Sequence, residues 1–306
     1  MSQNAQPLDR EAAGRLMRFA TYAAVAVASS LIAVKFAAWL MTDSVSLLST
    51  LIDSLLDVGA SMVNLFAVRH ALQPADEEHR FGHGKAESLA GLAQAAFISG
   101  SAVFLLLQAS ERLYNPSPVH DTWVGYWVMA IAIVATAALV VFQKYVAKRT
   151  GSIAISADSA HYTMDVLVNA SVIVSLFLAS EMGWQLADPL FAIAIAFYIL
   201  HGAYEVGKEA YHVLMDREMP DEDRKRIKEI ALSHPQALGA HDIRTRQSGP
   251  DVFIQIHLEM PRTLTLVEAH DVAEAVMNMV EAEYPRAEVL IHQDPQGVEE
   301  ARAFDD

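Results

Sequence analysis

Residues 44–57 read Ser-Val-Ser-Leu-Leu-Ser-Thr-Leu-Ile-Asp-Ser-Leu-Leu-Asp, and they open an apolar run that continues to His70. A helix through this run is long enough to cross a hydrocarbon core, which takes about 20 residues. It nevertheless carries Asp53 and Asp57 four residues apart, on one helix face and near mid-membrane. A carboxylate at that depth costs roughly 2.5 to 3.5 kcal/mol on insertion scales. Two in one span are kept only where something offsets them.

Five further apolar windows flank this one. The six spans fall at 17–41, 46–70, 88–113, 123–146, 153–179 and 189–213, so that 1–213 forms an all-α membrane domain and 214–306 a separate soluble one. The first sixteen residues are polar, and the helix after them is too long for a signal-peptide core, so it is expected to be retained. Arg10, Arg15 and Arg18 precede the first span, Arg69, Arg80 and Lys85 surround the second loop, and Lys144, Lys148 and Arg149 surround the fourth. The first, third and fifth loops hold only Arg112. The positive-inside rule then puts both termini and the soluble domain in the cytoplasm. Trp39, Trp123, Trp127 and Trp184 all fall at outer helix ends, where an amphipathic ring prefers the interface. Lys35, near the outer end of span one, is expected to snorkel toward the outer headgroups.

Span five repeats the pattern of span two. His161 and Asp165 lie four apart, with Asp158 three residues before and Asn169 four residues after. The plain alternative is a set of interhelical hydrogen bonds or a water-lined crevice. A tetrahedral metal site accounts better for two such pairs, because Asp53, Asp57, His161 and Asp165 supply oxygen and nitrogen ligands suited to zinc and other first-row divalent ions. Asp158 would stand behind these ligands or at their entrance. The same groups bind protons, so protons and metal compete, and His161, with an ordinary pKa of about 6.5, is the natural coupling residue.

The chain has no cysteine, which removes disulfides and thiolate sites and leaves carboxylate and imidazole as the strong ligands. From Asp216 onward there are twenty acidic residues against ten basic ones, within a net charge of −15, which argues against a nucleic-acid partner. In the second loop, Asp76, His79 and His83 lie three and four apart, and two glycines flank the last. Such a loop can wrap an ion, although a loop of this kind is more often simply solvated. The tail reads as helix 221–233, strands 239–246 and 252–260, helix 266–283 and strand 288–293. This αββαβ order suggests a small α+β sandwich of ferredoxin-like or metallochaperone-like type. Strand alternation puts His257 opposite the main core and sets His292 and Asp294 on one face. With His241 and His270 they form a candidate multi-ion cluster.

These residues together resemble the cation diffusion facilitators, in particular their bacterial YiiP-type branch of ferrous-iron efflux proteins. The stretches that carry the resemblance are Leu-Ile-Asp-Ser-Leu-Leu-Asp in span two, His-Arg-Phe-Gly-His-Gly-Lys-Ala-Glu after it, and Ala-Asp-Ser-Ala-His-Tyr-x-x-Asp in span five. Leu-Gly-Ala-His-Asp-Ile-Arg-Thr-Arg and Ile-His-Gln-Asp-Pro in the tail complete it. The resemblance implies a homodimer in the bacterial inner membrane that exchanges cytoplasmic divalent metal for external protons, with Asp53, Asp57, His161 and Asp165 as the transport site. It carries a second site onto Asp76, His79 and His83. A binuclear site would fall on His241, His257, His270, His292 and Asp294, bridged by Asp294 and holding the dimer together. It also implies an interlocking salt bridge between Lys85 and Asp216. Ala160, a small residue, precedes His161 where relatives of this type carry a bulkier one, which loosens any hydrophobic gate there. His161 argues against a manganese specialist and leaves Zn2+, Cd2+, Fe2+ and Co2+ open.

Two other classes of function fit less well. An intramembrane aspartyl protease brings its two aspartates together from two helices, whereas Asp53 and Asp57 share one. A membrane-anchored metal sensor without transport would need an output domain and would leave the buried ligands unexplained. The expectation is a transporter and no enzyme, working by alternating access.

Overall fold

The computed structural model describes residues 10–42, 45–114, 123–182 and 186–298. Six long helices come first: α1 (Arg10–Thr42), α2 (Val45–Ala71), α3 (Lys85–Tyr114), α4 (Trp123–Thr150), α5 (Ile153–Met182) and α6 (Ala187–Leu214). Each covers one expected span, and most run past it by a few residues. Apolar windows stop at the first charged residues, whereas the backbone hydrogen bonds continue through basic ends such as Lys144–Thr150. Among the described residues α1, α2, α3, α4 and α6 are long and apolar enough to cross a membrane. The remaining helix, α5, is the one that carries Asp158, His161, Asp165 and Asn169. Trp39 packs beside Ala38 and Val128, and Trp127 is exposed. The side chain of Trp123 and the whole of Trp184 lie outside the described residues.

The bundle is apolar outside and small-residued within. Phe104, Leu107, Val134, Val141 and Phe197 point outward, while Ala20, Ala24, Ala28, Ala154, Ala157 and Ala203 are buried. Small residues let helix backbones approach where no hydrophobic effect drives helices together in lipid. Polar ties then fix the register. The Ser61 hydroxyl of α2 and the Tyr162 hydroxyl of α5 share a hydrogen bond of 2.6 Å, and Asn64 Nδ2 donates to the Ala154 carbonyl at 3.1 Å. Asp57, Ser61 and Asn64 recur at four and three residues, so one stripe of α2 faces α5.

The start of α5 is anchored with similar care. α4 ends at Thr150, and Gly151 turns the chain at φ +73°, a left-handed conformation that suits glycine. Ser152 Oγ then accepts from the Ile155 N–H at 3.2 Å as an N-cap. The buried Glu87 carboxylate of α3 accepts from the Ser152 hydroxyl and, at 3.2 Å, from the Ala154 N–H. One turn on, α3 presents Gly91, where a Cβ would stand 2.6 Å from Ile153 Cγ2. Contact this close requires glycine.

The chain divides into two compact units, Gly14–Tyr211 and a second made of the residues before Gly14 with the segment from His212 onward. The second unit has α7 (Asp221–Leu232), β1 (Gly239–Ser248), β2 (Asp251–Met260), α8 (Leu266–Glu283) and β3 (Ala287–Pro295). Its sheet has the order β1-β2-β3, with β1 antiparallel and β3 parallel to the central β2. Ile254, Ile256 and Leu258 alternate onto one face, where they meet Ile227 and Ile230 of α7 and Val272, Val276 and Val280 of α8. Acidic Asp221, Glu222 and Asp223 open α7, favourably placed for the helix dipole. A capping box between Thr265 and Glu268 starts α8.

Replacing Glu87 by Ala is expected to lower the stability of the purified protein by on the order of 2 kcal/mol, because a buried N-terminus loses its acceptor. Glu87→Gln, which keeps an acceptor oxygen, should lose less. Thermal melting of the detergent-solubilised chain checks this, and equal losses for the two variants would contradict it.

Candidate metal centres

In the bundle, ligand atoms of Asp57, His161 and Asp165 all lie within 4.8 Å of one another. His161 Nε2 stands 3.1 Å from Asp57 Oδ1 and 4.0 Å from Asp165 Oδ2. The imidazole is 2% exposed, and its ring lies against those of Phe97 and Tyr162. Among the described residues its Nδ1 has no hydrogen-bond partner. The fourth expected ligand, Asp53, is not in this group. It sits one turn along α2, a rise of about 6 Å for four residues, and lines the same cavity of about 720 Å³. Asn169 also lines it.

Asp158 does not line the cavity. It is 1% exposed between α4 and α5, where its Oδ2 accepts from Gln143 Nε2 at 2.6 Å. Ala160 packs among Ile98, Ala102, Ile199 and Ala203. A second cavity of about 500 Å³ is lined by Lys144, Lys148, Gly151 and Glu209, and Met164 borders both cavities.

The snorkelling expected of Lys35 is not what the fold does. Its ammonium donates to Ser54 Oγ at 2.6 Å and to the Thr50 carbonyl at 3.2 Å, and it lines the cavity that holds the carboxylates. The α1–α2 packing turns it inward. A hydropathy window carries no information about which side of α1 meets α2.

The loop brings Asp76, His79 and His83 together. Asp76 Oδ1 is 3.4 Å from His79 Nδ1 and its Oδ2 3.2 Å from His83 Nε2. The backbone N–H groups of His79 and Glu78 donate to Asp76 Oδ1 at 2.6 and 3.0 Å, and these bonds hold its carboxyl below the ordinary carboxylate range. His70, at the end of α2, lies outside the spacing that marks the loop residues, yet it stands beside them. Its ring centroid is 4.5 Å from that of His83, and the His79 ring is 4.6 Å from His83.

The third cluster covers one face of the sheet. His241, His257 and His292 pair in register across all three strands. Asp294, 5% exposed, faces them: its Oδ2 is 3.0 Å from His257 Nδ1 and 3.5 Å from His241 Nε2, and its Oδ1 is 3.1 Å from His292 Nε2. A carboxylate with imidazoles on both oxygens has the form of a bridging ligand. Two acids that sequence pattern alone does not single out stand beside it. Glu259 Oε1 is 3.2 Å from His241 Nδ1. Asp242 sits at φ +44° where the β1 register slips between His241 and Arg244, and its Oδ2 is 3.8 Å from His257 Nε2. The Arg244 guanidinium grips Asp242 at 2.8 and 2.9 Å and lowers the pKa of its carboxyl.

His270 does not join this cluster. It is exposed on α8, which packs against the other, apolar face of the sheet. The row alignment of β1, β2 and β3 gathers the other four residues, and no position on α8 reaches that face within one chain.

Carboxylates and imidazoles at these separations are a donor set for a borderline divalent cation. The cation efflux transmembrane domain matches this chain over residues 21–215, and the cation efflux protein cytoplasmic domain matches over 219–296. The cation-efflux pump FieF of Salmonella paratyphi A is 51% identical over 294 residues, covering 95% of this chain and 98% of its own. That of Salmonella schwarzengrund is 52% identical over 285 residues, covering 93% and 95%. A solved structure of CzrB in its Zn form aligns with 28% of this chain and 99% of its own at 27% identity, with a TM-score of 0.27. With both of its halves matched and relatives half identical along nearly their whole length, the chain belongs to the cation diffusion facilitator family, as a membrane transporter that exports divalent metal cations.

Proposed function

We propose that Asp53, Asp57, His161 and Asp165 form the transport site, and that it exchanges cytoplasmic Zn2+, and also Cd2+ and Fe2+, for external protons by alternating access. What carries this reading is the approach of Asp57, His161 and Asp165 to within 4.8 Å inside a membrane-spanning bundle. Metal needs these ligands deprotonated, so external acid displaces the ion and cytoplasmic metal displaces the protons. Asp53, one turn from the group, closes on the ion as it binds. The positive-inside pattern supports an inner-membrane protein with both termini in the cytoplasm.

The loop cluster of Asp76, His79 and His83 holds a second ion. The sheet cluster of His241, His257, His292 and Asp294 holds two more, bridged by Asp294. His270, excluded from the cluster of its own chain, completes it from a second copy, so metal bound there strengthens a homodimer.

In proteoliposomes Asp57→Ala should lower zinc flux by at least about tenfold, the equivalent of one lost ligand at 1.4 kcal/mol; a normal rate would place the transport site elsewhere. Uphill zinc accumulation should stop when an ionophore collapses the pH gradient and should grow as the trans side is acidified. Flux measured in parallel for zinc, cadmium, ferrous iron, cobalt and manganese should rank manganese last. Zinc at about 100 times its Kd should stabilise the wild-type dimer by about 2.7 kcal/mol for each site filled, and Asp294→Ala should remove most of the increment that comes from the sheet cluster. A melting shift unchanged by that substitution would remove the bridging role.

A further inference from the structure

The cavity that holds the proposed ligands also holds a cation of the protein's own. Asp53, Asp57 and Asp165 bring three carboxylates to it, and among the described residues lining it Lys35 is the one lysine or arginine. The lysine is held at two points by α2. It donates to Ser54 Oγ at 2.6 Å and to the Thr50 carbonyl at 3.2 Å, on the turn that carries Asp53. Thr50, Asp53, Ser54 and Asp57 recur at three, one and three residues, so the ammonium and the two α2 carboxylates share a stripe. Leu105 and Gln108, near the end of α3, line the cavity too, so Lys35 stands on the side of the ligands that opens toward the ends of α1 and α3.

We propose that Lys35 is a fixed countercharge that matches the transport site to a single divalent cation and keeps that ion releasable. The proposal rests on the reading of Asp53, Asp57, His161 and Asp165 as the transport site. With His161 neutral, three carboxylates and one ammonium leave a charge of −2, which one divalent ion cancels. A site of −3 would hold the ion more tightly and would still carry a negative charge after binding it. In a surrounding of low dielectric that difference is large, because the attraction between charges is screened far less than in water. A transporter has to let its ion go, and binding that is too strong slows release. Lys35 is therefore a positioning residue that acts through charge and need not touch the metal.

A purely structural alternative is that Lys35 only ties α1 to α2. The two roles predict opposite signs. In the full-length protein in detergent, zinc is titrated against a competing chelator, and each variant is paired with the same variant carrying Asp57→Ala, so that the difference isolates the transport site. Lys35→Met should tighten zinc at that site by roughly tenfold or more. In proteoliposomes the same variant should show a lower KM together with a lower maximal rate. Lys35→Arg, which keeps the charge, should restore wild-type values, and Ser54→Ala, which weakens the tie and keeps the charge, should stay near them. Should Lys35→Met not purify as a folded dimer, Lys35→Gln is read by the same criteria.

Affinity that is unchanged or weaker in Lys35→Met, while Asp57→Ala still removes one site, overturns the countercharge. So does a Ser54→Ala protein that reproduces Lys35→Met. If Asp57→Ala removes no binding in any background, the transport-site reading fails and takes this proposal with it.

Discussion

Carboxylates held within a few ångströms of each other, where lipid cannot hydrate them, repel one another and resist burial, and the bundle is arranged around that constraint. Asp57 and Asp165 come from different helices and meet at His161. They stay there because α2 and α5 are tied on the far side of the site by the Ser61–Tyr162 and Asn64–Ala154 hydrogen bonds. α5 is fixed in turn by Glu87 at its first turn and by the close approach that Gly91 allows. Each tie is polar or steric, because in lipid the burial of apolar surface gives neighbouring helices no reason to choose a register. The anionic centre thus explains features well away from it, including a glycine and a glutamate on a helix that contributes no ligand.

The soluble unit handles a similar charge problem with a sheet. Strands fix lateral neighbours by register, so three histidines at matching positions form a row without any loop to organise them. Asp294 sits under that row, nearly closed off from solvent. The apolar residues that would bury such a face alternate to the other side, where α7 and α8 cover them. One face is therefore a core and the other a ligand array, and the two share every strand.

Much of this was legible in the sequence for plain physical reasons. Helix length and hydropathy located six spans, and the period of two separated Ile254, Ile256 and Leu258 from His257. Spacing put Asp53 with Asp57 and His161 with Asp165 on single faces. What escaped depended on distances between elements. The general rule for lysines near a membrane surface sends Lys35 outward, whereas its hydrogen bonds to Thr50 and Ser54 of α2 turn it inward. His70 lies outside the loop it joins, across a helix end. Asp242 reaches the histidines only through a bulge that no propensity announced. His270 matches the cluster in residue type, but α8 packs on the opposite side of the sheet from it.

That bulge has a consequence for how the domain can change. Side chains on a strand take alternate sides, so odd and even positions have separate fates. The extra residue between His241 and Arg244 switches this parity in mid-strand: His241 pairs with His257 on one side of it, while Arg244 and Arg246 pair with Gln255 and Phe253 on the other. Histidine and arginines thereby share one face, and Ala240, Ile243 and Thr245 are released to the opposite one. Deleting one of the two bulge residues would make the strand regular, with His241 and Arg244 still on one face, but the residue left between them would have to face the core: Ile243 fits there, whereas Asp242 would carry a carboxylate into apolar surroundings. The extra residue therefore adds a carboxylate beside the histidines without disturbing the alternation of the strand on either side of it.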